Sequence, residues 1–165
     1  MKTLFFISGT MGVGKTTVCQ ILKNKLSSSV FLDGDSCWNY QEGNITEDDK
    51  KEVINTIIHR LNSYLSDSRY ENIIFCWVMH EQSIINKILS NLALVNCSLI
   101  SVSLICTREA LIQRLSGDVE NELRKDDIIN KSLERLPLYK KLGTIKINTT
   151  NKEPFEVANK IIDLK

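Results

Sequence analysis

Gly9-Thr10-Met11-Gly12-Val13-Gly14-Lys15-Thr16 fits the pattern G-x-x-x-x-G-K-[ST] at every fixed position, and Thr17 follows it directly. Before it, Thr3-Leu4-Phe5-Phe6-Ile7-Ser8 is a short apolar run suited to a strand buried on both faces. After it, Val18, Ile21, Leu22, Lys25 and Leu26 fall at helical spacing, with no Gly or Pro until Gly34. A strand that turns through glycines into a helix points successive backbone N–H groups inward and adds the positive end of the helix dipole. That is a cradle for a phosphate chain. Lys15 would reach the outer phosphates and the Thr16 hydroxyl a Mg²⁺ ion.

The rest of the chain alternates strands and helices. Val30-Phe31-Leu32 opens a second strand that runs into Asp33-Gly34-Asp35, and Trp38 and Tyr40 follow in a loop. Thr46 caps a helix over about 47–65, in which Val53, Ile57, Leu61 and Leu65 recur every four residues. Ile73 to Val78 reads as a third strand leading to His80, and a helix over about 82–92 follows. Ser98 to Ile105 is a fourth strand, and Thr107 caps a helix that Gly117 is expected to stop. From Asp118 to Lys141 the chain is densely charged with both signs and reads as a mobile helical excursion, bent by Pro137. Thr144 to Ile147 is a fifth strand, and Pro154 opens the last helix. This alternation is the mark of a parallel sheet covered by helices on both faces, an α/β fold.

The chain has 165 residues, 42% of them hydrophobic and 25% charged, and a formal net charge of +1. Such numbers suit one soluble domain spanning 1–165 and give no electrostatic footing for nucleic acid or a membrane surface. No apolar run approaches the roughly 20 residues of a spanning helix. Cys19, Cys37, Cys76, Cys97 and Cys106 form no C-x-x-C pair. Buried thiols in a reducing cytoplasm are therefore the expectation.

Phosphate loops serve switches, motors and phosphotransferases alike. A GTPase would offer an N-K-x-D base-reading motif, but Asn86-Lys87, Asn130-Lys131, Asn151-Lys152 and Asn159-Lys160 all lack the Asp. The third and fourth strands end without an acid, so Asp33 and Asp35 are the strand-end carboxylates. With the loop, Phe31-Leu32-Asp33-Gly34-Asp35, the helix around Leu111-Ile112-Gln113-Arg114-Leu115 and the charged segment at about 117–141, the chain resembles the small P-loop kinases of nucleosides, nucleotides and metabolites. Leu-Asp-Gly-Asp is similar to the gluconate kinase and adenylylsulfate kinase branches. The resemblance implies a three-layer P-loop NTPase sandwich, sheet order 2-3-1-4-5, with a helical lid at 117–141. It also implies ATP and Mg²⁺ as cofactors.

For phosphoryl transfer the reading assigns Gly9 to Thr17 to the phosphates, Thr16 and Asp33 to the metal, and Asp35 to the proton of the acceptor hydroxyl, with Asp33 a close second. Arg114 and then Arg124 would close over the moving phosphoryl group, with Arg135 behind them. The resemblance places Asn148, Thr149 and Thr150 at the base of the nucleotide. Trp38, Tyr40, Trp77 and His80 follow strands two and three, where an acceptor would sit, though Trp77 fits core packing as well. A small molecule, a nucleoside or nucleotide as first guess, is the expected acceptor, taken by a monomer or homodimer. Two other readings stay open. One is a nucleotide-binding regulatory or interaction module without phosphotransfer, and the other a polynucleotide 5′-end kinase.

Overall fold

The computed structural model describes residues 1–39, 45–121, 123 and 127–165. Tyr40 and Arg124 lie outside the described residues. Five strands, β1 (Lys2–Ser8), β2 (Ser29–Asp33), β3 (Asn72–Trp77), β4 (Cys97–Ile105) and β5 (Ile145–Asn148), form one sheet in the order β2-β3-β1-β4-β5. Every pairing is parallel. The expected order therefore holds, with β1, the strand that feeds the phosphate loop, in the centre. Its residues Leu4 to Ile7 are buried on both faces, as a continuous apolar run in a covered parallel sheet must be.

Helices α1 (Lys15–Lys25), α2 (Glu47–Ser66), α3 (Gln82–Leu89), α4 (Arg108–Glu120), α5 (Asp127–Arg135) and α6 (Pro154–Ile162) complete the layers. One core lies between the sheet and α1, α4, α5 and α6, built on Phe5, Ile7, Leu22, Leu111, Leu115 and Ile161. The other lies between the sheet and α2 and α3, built on Leu4, Phe6, Ile57, Leu61, Phe75 and Ile88. The alternation of β1 side chains decides which residue enters which core. Among the described residues no helix is long and apolar enough to cross a membrane.

Two expectations need correction. Helix α4 does not stop at Gly117 but continues through it to Glu120. A helix-interior glycine costs only about 1 kcal/mol relative to alanine, less than the packing of buried Leu111 and Leu115 recovers. Nor do the described residues of the charged segment from Asp127 onward stand off the body as an excursion. Leu133 and Leu136 enter the first core. After α5 the 3-10 turn Leu136–Lys141 carries Tyr139 and Leu142 into the second. The segment thus crosses the carboxyl edge of the sheet from one face to the other, and Gly143 N–H donates to Gln82 Oε1 on α3 at 2.8 Å.

Tyr139 is fully buried, yet among the described residues its hydroxyl has no hydrogen-bond partner, and burial pushes the phenol well above its usual pKa. An unpaired buried hydroxyl costs about 1–3 kcal/mol. Tyr139→Phe is accordingly expected to raise the thermal midpoint by roughly 2–12 °C for a chain of this size. Calorimetric melting checks this, and a lower midpoint would show that the hydroxyl has a partner after all.

Candidate active site

Because all strands run parallel, their carboxyl ends meet on one edge. Ser8 lies opposite Trp77 and Ser103, and Asp33 opposite Cys76. The phosphate loop, the Asp33-Gly34-Asp35 turn, His80 and Thr107 are thereby gathered where open α/β sheets hold ligands.

The loop is shaped by positive φ at Gly12 (80°) and Gly14 (103°). A Cβ on Gly12 would also stand 2.5 Å from Leu115 Cδ2, so the loop is pressed onto α4. Helix α1 starts at Lys15 with Gly14 as its N-cap, no side-chain cap and no acid in its first turn. By contrast, the Thr46 and Thr107 side chains cap α2 and α4, and at the start of α6 Glu156 Oε2 accepts from the Glu153 N–H at 2.8 Å. The first N–H groups of α1 are left for an anion. Lys15 Nζ donates to the Thr10 carbonyl at 3.0 Å. Burial holds this ammonium below its usual pKa, while Cys76, Asp35 and Asp33 act in the opposite direction. Beneath it Cys19 and Cys76 are buried, and burial together with the Cys76 contact raises the Cys19 thiol well above its usual pKa. These are structural thiols.

Across from the loop, Thr16 Oγ1 donates to Asp33 Oδ2 at 2.9 Å. Asp33 Oδ1 accepts from the Asp35 N–H at 3.0 Å, closing the 3-10 turn Gly34–Cys37. Asp35 Oδ1 accepts from Trp77 Nε1 at 3.1 Å. Gly34 has no room for a side chain, since a Cβ there would lie 2.5–2.8 Å from the Trp77 ring and its Cβ. The indole therefore seats directly under the turn and aims Asp35. Trp77 is buried and belongs to the core, so the sequence expectation of a substrate contact gives way to that of a support. Trp38, half-buried, packs its ring 6.1 Å from that of Trp77. His80 Nδ1 lies 3.2 Å from the Val78 carbonyl, and its Nε2 lies 3.4 Å from Glu81 Oε1. Hydroxyl and carboxylate oxygens beside a phosphate cradle suit Mg²⁺, which takes one or two protein oxygens and completes its shell with water and phosphate. Thr16 and Asp33 would hold it.

Behind the loop a groove of about 630 Å³ is lined by Gly12 to Val18, Arg114, Asp118, Thr149 and the start of α6. Arg114 sits at the far end of the loop from Lys15. Its Nη1 donates to the Val13 carbonyl at 3.2 Å and Thr149 Oγ1 at 3.0 Å, and its Nη2 to the Thr149 carbonyl at 2.9 Å. Those bonds fasten β5 to the loop and point away from the role of phosphoryl clamp expected for Arg114. Of the three residues expected at the base, Thr149 lines the groove. Asn148 Oδ1 accepts from Thr150 N–H at 2.9 Å and Thr150 Oγ1 from Thr107 N–H at 2.8 Å, so both side chains serve the turn itself. Arg135, ranked last from the sequence, brings Nη1 to 3.5 Å from Met11 Sδ at the Lys15 end. Ser132, on which the sequence offers no signal, lies buried against the same corner.

A five-stranded parallel sheet with a phosphate loop leaving its central strand and a carboxylate facing the loop threonine defines a P-loop nucleotide-binding protein. Gluconokinase from Sinorhizobium meliloti 1021 is similar with a TM-score of 0.73 at 17% identity, over 98% of this chain and 90% of that one. The Deinococcus radiodurans tunicamycin resistance protein is similar at 0.71 and 18%, over 99% and 95%. Shikimate kinase from Acinetobacter baumannii, in complex with shikimate, is similar at 0.64 and 22%, over 99% and 92%. The fold is that of the small P-loop kinases. A family model described as an AAA domain matches residues 6–136, and the chain belongs to that family. No curated protein matches the sequence.

Proposed function

We propose that the chain is a kinase that transfers the terminal phosphate of ATP to a hydroxyl of a small acceptor. The continuous chain from Thr16 through Asp33 and Asp35 to Trp77 carries this reading, because it joins the donor loop to a carboxylate on the acceptor side. Gly9 to Thr17 hold the phosphates, and Lys15 neutralises charge on the outer two. Mg²⁺ held by Thr16 and Asp33 would supply further charge neutralisation. The acceptor oxygen forms a bond to the terminal phosphorus as the bond to the bridging oxygen breaks. ADP leaves with that electron pair, and the acceptor proton passes to Asp35. Arg135 at the Lys15 end supports charge on the moving group, with Thr149 and Arg114 framing the base. The half-buried Trp38 ring beside the Asp35 turn favours an acceptor with a flat face, a nucleoside or nucleotide first.

Incubation with ATP, Mg²⁺ and a library of nucleosides, nucleotides and sugar acids should reveal acceptor-dependent ADP release. ATP binding without transfer to any member would instead favour a regulatory module. Within this reading Trp77→Phe keeps the buried ring but loses the N–H that holds Asp35. A hydrogen bond to a charged group is worth about 1.5–3 kcal/mol, so kcat should fall roughly 10–100-fold. The KM for ATP should stay put, which steady-state kinetics would show. An unchanged kcat would release Trp77 from any role in aiming the carboxylate.

A further inference from the structure

The contact between α5 and the phosphate loop goes beyond what triphosphate binding by the loop requires. Ser132, in the middle of α5, is fully buried, as is Thr10. Ser132 Oγ–H donates to the Met11 carbonyl at 2.5 Å. Thr10 Oγ1 lies 2.9 Å from the Ser132 carbonyl and 2.8 Å from Ser132 Oγ. Two hydroxyl hydrogens thus serve three contacts, the Thr10 hydrogen being shared between two oxygens of Ser132. Buried hydroxyls are costly unless paired, and these pair only if α5 lies in one register on the loop.

That register has a consequence one helical turn on. Arg135 is three residues after Ser132, hence on the same face of the helix, and its guanidinium lies against the Met11 side chain. One turn of α5 therefore holds Met11 by its carbonyl through Ser132 and covers its side chain with Arg135. From the other side Lys15 holds the Thr10 carbonyl. Since a loop lysine of this kind serves the outer phosphates, the Thr10-Met11 corner is where the terminal phosphate would lie.

We propose that Thr10 and Ser132 form a buried hydroxyl lock that registers α5 on the phosphate loop and thereby places the Arg135 guanidinium at the terminal phosphate of bound ATP. Ser132 is a positioning residue that acts through Arg135. The inference rests on the donor half of the kinase reading and needs no acceptor. It also assigns Arg135, rather than Arg114, to the phosphoryl group.

The test is a double-mutant cycle read by calorimetric affinity for Mg·ATP and Mg·ADP, with melting as control. Arg135→Ala should weaken Mg·ATP about tenfold or more while leaving Mg·ADP within about twofold, as expected for a charge-assisted contact to one phosphate. Ser132→Ala should reproduce most of that ATP-specific loss, and adding it to Arg135→Ala should change little further. Ser132→Thr, which keeps the hydroxyl, should retain ATP affinity. A lower melting point with the ATP-to-ADP ratio intact would overturn the proposal. So would losses that multiply in the double variant, or an Arg135→Ala protein that binds ATP normally. Should Ser132→Ala fail to fold, Thr10→Val removes the shared hydrogen from the loop side and must give the same ATP-specific loss. The kinase reading stands or falls separately on acceptor-dependent ADP release by the unmodified protein.

Discussion

Lys15→Ala is expected to lower acceptor-dependent ADP release by about a thousandfold or more, the scale of losing a preorganised cation from a phosphoryl-transfer site. The ammonium donates to the Thr10 carbonyl, and burial holds its pKa below the usual value although the charges of Asp33 and Asp35 favour the ammonium. It is thus strained as a charge before phosphate arrives and relieved afterwards. For that reason the variant should melt no lower than the unmodified protein, while Mg·ATP affinity drops at least about tenfold. The same arrangement sets a pH dependence. A bound phosphate chain raises the Lys15 pKa, so binding takes up a proton wherever the free site has begun to lose one. ATP affinity should therefore weaken as pH rises through the lowered free value, earlier than an ordinary lysine would allow. Calorimetry in buffers of different ionisation enthalpy would measure the uptake, and Lys15→Ala should show none of it. A variant that retains turnover would sink the donor-site assignment.

Asp35→Asn is the second large effect, with kcat expected to fall by about 10²–10⁴, the usual contribution of a positioned base. The amide is nearly isosteric, and its oxygen can still accept from Trp77 Nε1, so the turn should keep its shape. What is lost is the ability to take the acceptor proton. Mg·ATP affinity should therefore stay within about twofold. Asp33→Asn should behave differently, because Asp33 Oδ2 accepts from Thr16. An amide there disturbs the group proposed to hold Mg²⁺, so the Mg²⁺ concentration required for activity should rise. If Asp35→Asn instead weakened ATP and spared kcat while Asp33→Asn destroyed kcat, the two carboxylates would exchange roles.

Much of the site was legible in the chain because its signals are local. The glycines of the loop, the apolar run before it and the four-residue periodicity after it all lie within a window of two dozen residues, and each constrains the backbone directly. Asp33 and Asp35 were recognisable for a related reason, since one ends an apolar strand and the other follows it by two residues, at the end where open α/β sheets hold ligands. What could not be read was the use of residues already noticed. Trp77 was visible as a ring in an apolar strand, but its indole N–H reaches Asp35, 42 residues away. Arg114 was visible as a helix cation, yet its partners are Val13 and Thr149, and those bonds are decided by how β5 closes against the loop. Gly117 looked like a helix stop because a glycine penalty is local and the packing that overrides it is not.

The sequence by itself determined the phosphate loop, the alternation that builds a parallel sheet around it, and the pair of acids at the end of the second strand. Backbone conformation and burial periodicity are properties of short segments, and short segments carry them. Only the tertiary structure decided which cation faces the Thr10-Met11 corner and how it is held there. Ser132 meets Met11 across 121 residues of chain. That meeting depends on the route of the charged segment over the sheet edge, fixed by Leu133 and Leu136 entering one core and Tyr139 and Leu142 the other. No pattern within the segment encodes that route, because both cores are assembled from strands and helices elsewhere in the chain.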